Sequence, residues 1–283
     1  KKAFSLNIFV VDGDPAGLRI IDRTNWSGKA VMFPRAIIQN VKQRPEFLQT
    51  GVYILIGPQV NGNGEMIYIG EGDPVKPRIE SHHTQKDFWN RAVFFVASDN
   101  KLNKAHVQFL ESKLITIAKK TKILPLENSN YPSEPSLSEQ DRSYAEIFLD
   151  HMLDMLPVLG FSCFEEASSN DGDKHTQLIC SAKGVTAYGY EDTQGFIVKK
   201  DSQACITLAP AMQNKGIDTL RETLKKNGVL QLKNNKLIFT QDYTFNSPSS
   251  AAGVILGGSV NGRETWKDKS GRTLKEIQNN AIS

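Results

Sequence analysis

Five side chains between residues 53 and 111 have types and spacing that chemistry on a phosphate could use. Tyr53 and Tyr68 sit in the middle of two short apolar runs, GVYILIG (51–57) and MIYIG (66–70). Arg78 and His82 follow in VKPRIESHHTQ, four residues apart, which puts them on one face of a helix. Glu111 lies in KLNKAHVQFLESKLITIAKKT, four residues after Val107 and three before Leu114, inside the apolar stripe of an amphipathic helix. A carboxylate in such a stripe is costly unless a cation or donors meet it. A guanidinium binds phosphate oxygens, a carboxylate holds a hard cation, and phenols and imidazole move protons. Bland alternatives stand beside this reading. Glu111 at the stripe edge could pair with a lysine or arginine, the tyrosines could be a core aromatic pair, and Arg78 with His82 could be a solvated helix surface.

The elements that must position these groups are legible. Residues 51–57 and 66–70 alternate as strands, and the polar PQVNGNGE (58–65) reads as the hairpin loop between them. Paired in this way, the two tyrosine rings share one surface of a sheet. Pro77 fits the first turn of a helix through about His83. RAVFFVAS (91–98) supplies a third strand, and residues 104–119 a helix capped by Asn103 or Asp99. Upstream, 4–11 and 18–22 read as a buried strand and its return, VMFP (31–34) as a short extended piece, and 35–44 as a short helix ending before Pro45.

Downstream, residues 122–141 read as an exposed loop and linker. A helix follows at 139–158, with Tyr144, Ile147, Phe148, Met152 and Met155 as its apolar stripe. After 160 comes a polar break, EEASSNDGDKH, and then short strand-like pieces. A helix at 218–228 closes on Gly228, and an Ala-rich helix begins at a serine cap near Ser247. The fold class expected is α+β: a small central antiparallel sheet flanked by helices, plus a separate mixed α/β C-terminal domain. The domain boundaries expected are 1–50 for an N-terminal extension, 51–130 for the central domain, 131–160 for a linker and helix, and 161–283 for the C-terminal domain.

Composition is that of an ordinary globular protein: 283 residues, 39% hydrophobic and 23% charged. No apolar run approaches the roughly 20 residues that span a bilayer, so no membrane partner is expected. The start, KKAFSLNIFVVDGDP, reads as a strand rather than a signal peptide. Cys163, Cys180 and Cys205 have no CxxC spacing, which disfavours structural zinc and points to reduced thiols and a cytoplasmic location. Net charge is +3, and residues 1–50 carry eight Lys or Arg against four Asp or Glu. A local basic patch suffices to bind nucleic acid, but mildly basic proteins without such a partner are common. Trp266 with Arg263, Lys267, Lys269, Arg272 and Lys275 is a second candidate patch, diluted by Glu264, Asp268 and Glu276 into what also reads as a solvated face. His106, His151 and His175 form no visible metal set, and Trp26 and Trp89 read as packing residues.

GVY at 51–53 and YIG at 68–70, followed in order by Arg78, His82 and Glu111, resemble the signature of the GIY-YIG nuclease family. Val52 departs conservatively from the isoleucine of the first signature. The resemblance implies that the Tyr53 and Tyr68 hydroxyls lie at a reaction centre, that Arg78 contacts the scissile phosphate, and that Glu111 holds one Mg²⁺ or Mn²⁺. His82 matches a histidine of variable role, and Asn128, or alternatively Asn130, matches an asparagine after the glutamate helix. Residues 9–35 resemble an N-terminal extension of one bacterial subgroup of this family, and residues 247–277 a C-terminal domain of undefined function in the same subgroup.

The activity implied is metal-dependent endonucleolytic hydrolysis of DNA by activated water, with RNA not excluded. Tyr53 would act as general base, and Tyr68 would orient water or phosphate. His82 would accept the Tyr53 proton or hold Tyr68. With a free pKa near 10, a tyrosine needs nearby positive charge for this work. The covalent alternative has a tyrosine attack phosphorus itself. The rivals in other classes are a noncatalytic nucleic-acid-binding protein that kept the fold, and a protein-interaction module.

Overall fold

The computed structural model describes residues 3–59, 64–165, 176–192, 195–213 and 216–280. Most of the hairpin loop, the polar break after 165 and His175 lie outside the described residues. The chain divides into two compact units, Lys1–Lys120 with Leu124–Phe164, and Thr121–Ile123 with Glu165–Ser283. Both are mixed α and β with antiparallel sheets. No helix among the described residues is long and apolar enough to cross a membrane.

The first unit is built on six strands: β1 (Leu6–Val10), β2 (Arg19–Arg23), β3 (Gly28–Pro34), then, after the short α1 (Ile38–Val41), β4 (Gly51–Pro58) and β5 (Glu65–Gly72). The helix α2 (Val75–Gln85) precedes β6 (Arg91–Ala97), and α3 (Lys104–Thr121) and α4 (Glu139–Val158) complete the unit. The sheet order is β1-β2-β3-β6-β4-β5, antiparallel throughout. Strand β4 is central to the site and buried on both faces, with Val52, Ile54 and Ile56 on one and Tyr53 and Leu55 on the other, all at 0% exposure. The Tyr53 face packs with Phe33, Phe47, Val75, Ile79, Trp89 and Phe94.

Three expectations change in this unit, none of them the packing of the strands before residue 50 on the central sheet. Those strands join it directly, β3 pairing with β6 along seven residues from Gly28↔Ala97 to Pro34↔Arg91. The N-terminal segment therefore supplies half the strands. The first strand is not buried: β1 has only β2 beside it and leaves Ile8 and Phe9 at least half exposed. The helix at 139–158 buries Ala145, Phe148, Leu149, Met152, Met155 and Leu156, so Ile147 points outward. It packs within the first unit, where Asp154 pairs with Arg23 at 2.8 Å and Phe148 packs on Trp26 at 4.7 Å. Residue 161 is also too early a start for the second unit, because Phe161, Cys163 and Phe164 are buried in the first.

The second unit holds β7 (Leu178–Ala182), β8 (Val185–Asp192), β9 (Gly195–Val198), β10 (Gln203–Ala204), α5 (Gly216–Lys226), β11 (Leu230–Lys233), β12 (Lys236–Phe239) and β13 (Tyr243–Phe245). It ends with α6 (Pro248–Leu256), α7 (Gly262–Thr265) and α8 (Leu274–Asn280). Its sheets are β13-β9-β8-β7 and β10-β12-β11. Ser247 caps α6 by accepting from the Ser250 N–H, and Ala251 to Leu256 are all buried. Trp266 is also core, at 0% exposure, with its ring 4.5 Å from Phe196 and its N–H on the Pro248 carbonyl. It therefore contributes nothing to a surface patch. Around it Arg272 pairs with Asp268 and Lys275 with Glu264. Cys163, Cys180 and Cys205 are buried thiols outside any disulfide, and burial pushes the Cys163 and Cys180 thiols up to about 12.

Candidate functional site

The site grows from the β4–β5 register. Tyr53 stands opposite Gly70 and Leu55 opposite Tyr68, so the two tyrosines are diagonal neighbours on one face. Their rings stack at 6.3 Å with 25° between planes. Gly70 makes this possible, since a Cβ there would fall 2.3 Å from the Tyr53 hydroxyl. The ring lies flat across the strand where only hydrogen is tolerated.

Helix α2 brings in His82 and Arg78. Its first turn is tied to the chain before β4 by Val75 N–H on the Gln49 carbonyl. Its last turn is held by Arg35, whose guanidinium donates to the carbonyls of His83 (2.8 Å), Lys86 (2.7 Å) and Trp89 (3.4 Å). A cation at a helix C-terminus also complements the helix dipole. His82, 7% exposed, places Nε2 2.7 Å from the Tyr53 hydroxyl. Its ring is 4.7 Å from that of Tyr68, and its buried Nδ1 has no partner. Arg78 is exposed, and its positive charge acts on the Tyr53 and Tyr68 hydroxyls.

Glu111 arrives on α3, whose start is fixed by Asn103: its Oδ1 accepts from the His106 N–H at 3.0 Å, and the Asn103 N–H points back at His106 Nδ1. Asp99, the other expected cap, instead accepts from the Lys101 N–H. Among the described residues Glu111 has no ion-pair partner within 4.0 Å, so the bland salt-bridge account does not hold. Burial first, and the Glu71 carboxylate second, push its pKa up to about 7, against the pull of Arg78 and Lys104. Burial pushes Tyr53 far above its ordinary value, opposed by Arg78. Burial, with Lys86 and Arg78 nearby, holds His82 down at about 4, so the imidazole is neutral at pH 7. Tyr68 is raised by burial while Arg78 draws it down.

The structure thus gathers Tyr53, Tyr68, His82, Arg78 and Glu111 within one electrostatic neighbourhood. Asn128 stands apart in role. Its side-chain amide accepts from the Ile69 N–H (3.0 Å) and donates to the Ile69 carbonyl (2.7 Å), closing the free edge of β5 beside Tyr68 as a neighbouring strand would. Asn130 is exposed. His106 bonds to Asp141 at 3.1 Å, His151 packs edge-on to Trp26, and His83 lies against Trp89. Sequence reasoning missed Lys86, which sits 4.6 Å over the Tyr68 ring and bonds both Glu127 oxygens. It also missed Glu71 and Lys104, paired at 2.6 Å. Lys86 is the residue that ends α2, in extended backbone just past Gln85, and no sequence spacing marked it.

Among the described residues no group of three or more His, Cys, Asp or Glu side chains is placed to hold a metal ion. The donor set nonetheless suits one hard cation. Glu111 is an unpaired, part-buried carboxylate beside a second one, Glu71, whose Oε2 is buried without a partner. Magnesium is commonly held by one or two carboxylates, with phosphate and water oxygens completing the shell. Comparison with known proteins adds one finding. Residues 178–278 match a family model described as a domain of unknown function, DUF4357. The match lies within the second unit and includes the whole stretch at 247–277 noted above. No curated protein and no solved structure matches the chain.

Proposed function

We propose that the first unit is a nuclease centre of the GIY-YIG type, hydrolysing phosphodiester bonds of DNA with Mg²⁺ or Mn²⁺. The observation that carries this reading is the unpaired Glu111, held near its neutral form beside Arg78 and two stacked phenols. Among the described residues no cation pairs with it, which leaves its oxygens open to a ligand.

Each residue then has a task. Arg78, exposed on α2, binds a non-bridging oxygen and stabilises the charge that grows there. Tyr53 takes a proton from the attacking water. Its own proton has an exit already in place, the His82 Nε2 at 2.7 Å, in the tautomer where Nδ1 carries the ring hydrogen. A neutral imidazole is the form that can accept it, and His82 is kept neutral. The raised pKa of Tyr53 means that its proton leaves only against positive charge, which Arg78 supplies. Tyr68 orients the water, steadied by Lys86 over its ring. Asn128 positions rather than reacts, by holding β5 in register. Glu111 would hold the divalent cation, which when bound supplies Lewis-acid charge to the phosphate.

The test is conversion of supercoiled plasmid to nicked or linear forms by the full chain with Mg²⁺ or Mn²⁺, set against Glu111→Gln. The reading expects cutting by the wild type alone. Equal cutting by the variant removes Glu111 from its role, and a trapped tyrosyl–DNA adduct replaces water attack with the covalent route.

A further inference from the structure

Glu71 belongs to no part of the signature, yet it is tied to the site more closely than a surface acid would be. It is opposite Val52 near the end of β5, on the strand face away from Tyr68 and Gly70. There its Oε1 accepts from Lys104 Nζ at 2.6 Å, with the Glu71 side chain only 12% exposed and that of Lys104 52% exposed. Its other oxygen, Oε2, is buried with no hydrogen-bond partner among the described residues. Lys104 and Glu111 are seven residues apart on α3, two turns along one face, so that face brings both groups to the end of β5. The Glu71 charge acts on Glu111 and on Arg78 alike. A strut between strand and helix needs one carboxylate oxygen; nothing in a strut calls for the second to be sealed without a donor beside another acid.

We propose that Glu71 is the second carboxylate of the divalent-cation site centred on Glu111, with Lys104 the ammonium that neutralises it until a cation shares it. The inference rests on the nuclease reading and extends it, since that reading asks only for Glu111. Two neighbouring carboxylates repel until a divalent ion lies between them. Oε2 is the kind of hard oxygen ligand such an ion takes. Lys104, half exposed on a four-carbon stem, can turn its charge to solvent without moving the backbone.

Isothermal titration of the full chain with Mn²⁺ alone, without nucleic acid, tests this. Glu71→Gln should weaken Mn²⁺ binding by about tenfold or more, and Lys104→Met should tighten it by removing the competing ammonium. A strut would leave Mn²⁺ affinity unmoved in both, and that result overturns the proposal, as does weaker binding by Lys104→Met. Loss of Mn²⁺ in Glu111→Gln with wild-type binding in Glu71→Gln removes Glu71 while the nuclease reading stands. A wild type that takes up no Mn²⁺ brings down both. Should Glu71→Gln fail to fold, as a melting curve would report, Lys104→Met decides alone.

Discussion

Two arginines, one in each unit, put the same guanidinium to opposite uses. Arg221 on α5 is 2% exposed, and its nitrogens donate to the carbonyls of Cys205, Ile206 and Thr207. Every contact ties a loop to a helix, and none is left for a ligand. Arg78 on α2 is exposed and turned toward two phenols whose ionisation it favours and a carboxylate whose charge it supports. The first is consumed by the fold. The second is supported by the fold but left open. In this pair burial goes with partners already in place and exposure with partners still open.

The comparison can be broken from either side. The largest effect expected is on cleavage by Arg78→Met: a loss of about 10²- to 10³-fold in a plasmid assay, with a melting temperature close to wild type. A folded variant that still cuts would show that Arg78 is as fold-serving as Arg221. Arg221→Met should do the reverse, costing about 3 kcal/mol of the second unit's stability in urea unfolding because three carbonyls lose their donor. An unchanged midpoint would mean that water replaces the guanidinium. Gly70→Ala lies between the two kinds, with an overpacking cost of about 1–3 kcal/mol as its Cβ displaces the Tyr53 ring. Cleavage should fall further than stability does.

The smallest effects are in pH. Glu111, raised to about 7 from an ordinary 4.5, burdens the folded state as it ionises between those values. Its cost is absent below pH 4.5 and complete above 7. Glu111→Gln should thus raise the melting temperature slightly at pH 8 and not at pH 4. His82, lowered to about 4 from 6.5, works in the other direction: the folded state is undisturbed above 6.5 and loses stability as pH falls toward 4. His82→Gln should flatten that acid limb. Two such residues with no pH signature in melting curves would contradict the burial that sets them.

The hairpin, the two long helices and the anomaly at Glu111 were legible because each is local: alternation in 51–57, a 3.6 period in 104–119, and one acid out of place in it. The continuity of the sheet was not, since β3 meets β6 across some sixty residues without any mark in VMFP itself. The Glu71–Lys104 and Lys86–Glu127 pairs escaped for the same reason, being 33 and 41 residues apart. Trp266 was ambiguous because its basic neighbours alternate outward while the indole turns in, which the bridge of Lys267 to Ile179 enforces. Asn128 was found by type and order, but its grip on Ile69 needed coordinates.

Arg35, clasping the last carbonyls of α2 from just beyond β3, makes the signature segment dependent on what precedes it. A fragment begun at residue 51 would leave those carbonyls bare, expose the flank of β6 where β3 had paired, and loosen the helix that presents Arg78 and His82. An excised first unit would have to start near residue 18, with the return strand that shields β3.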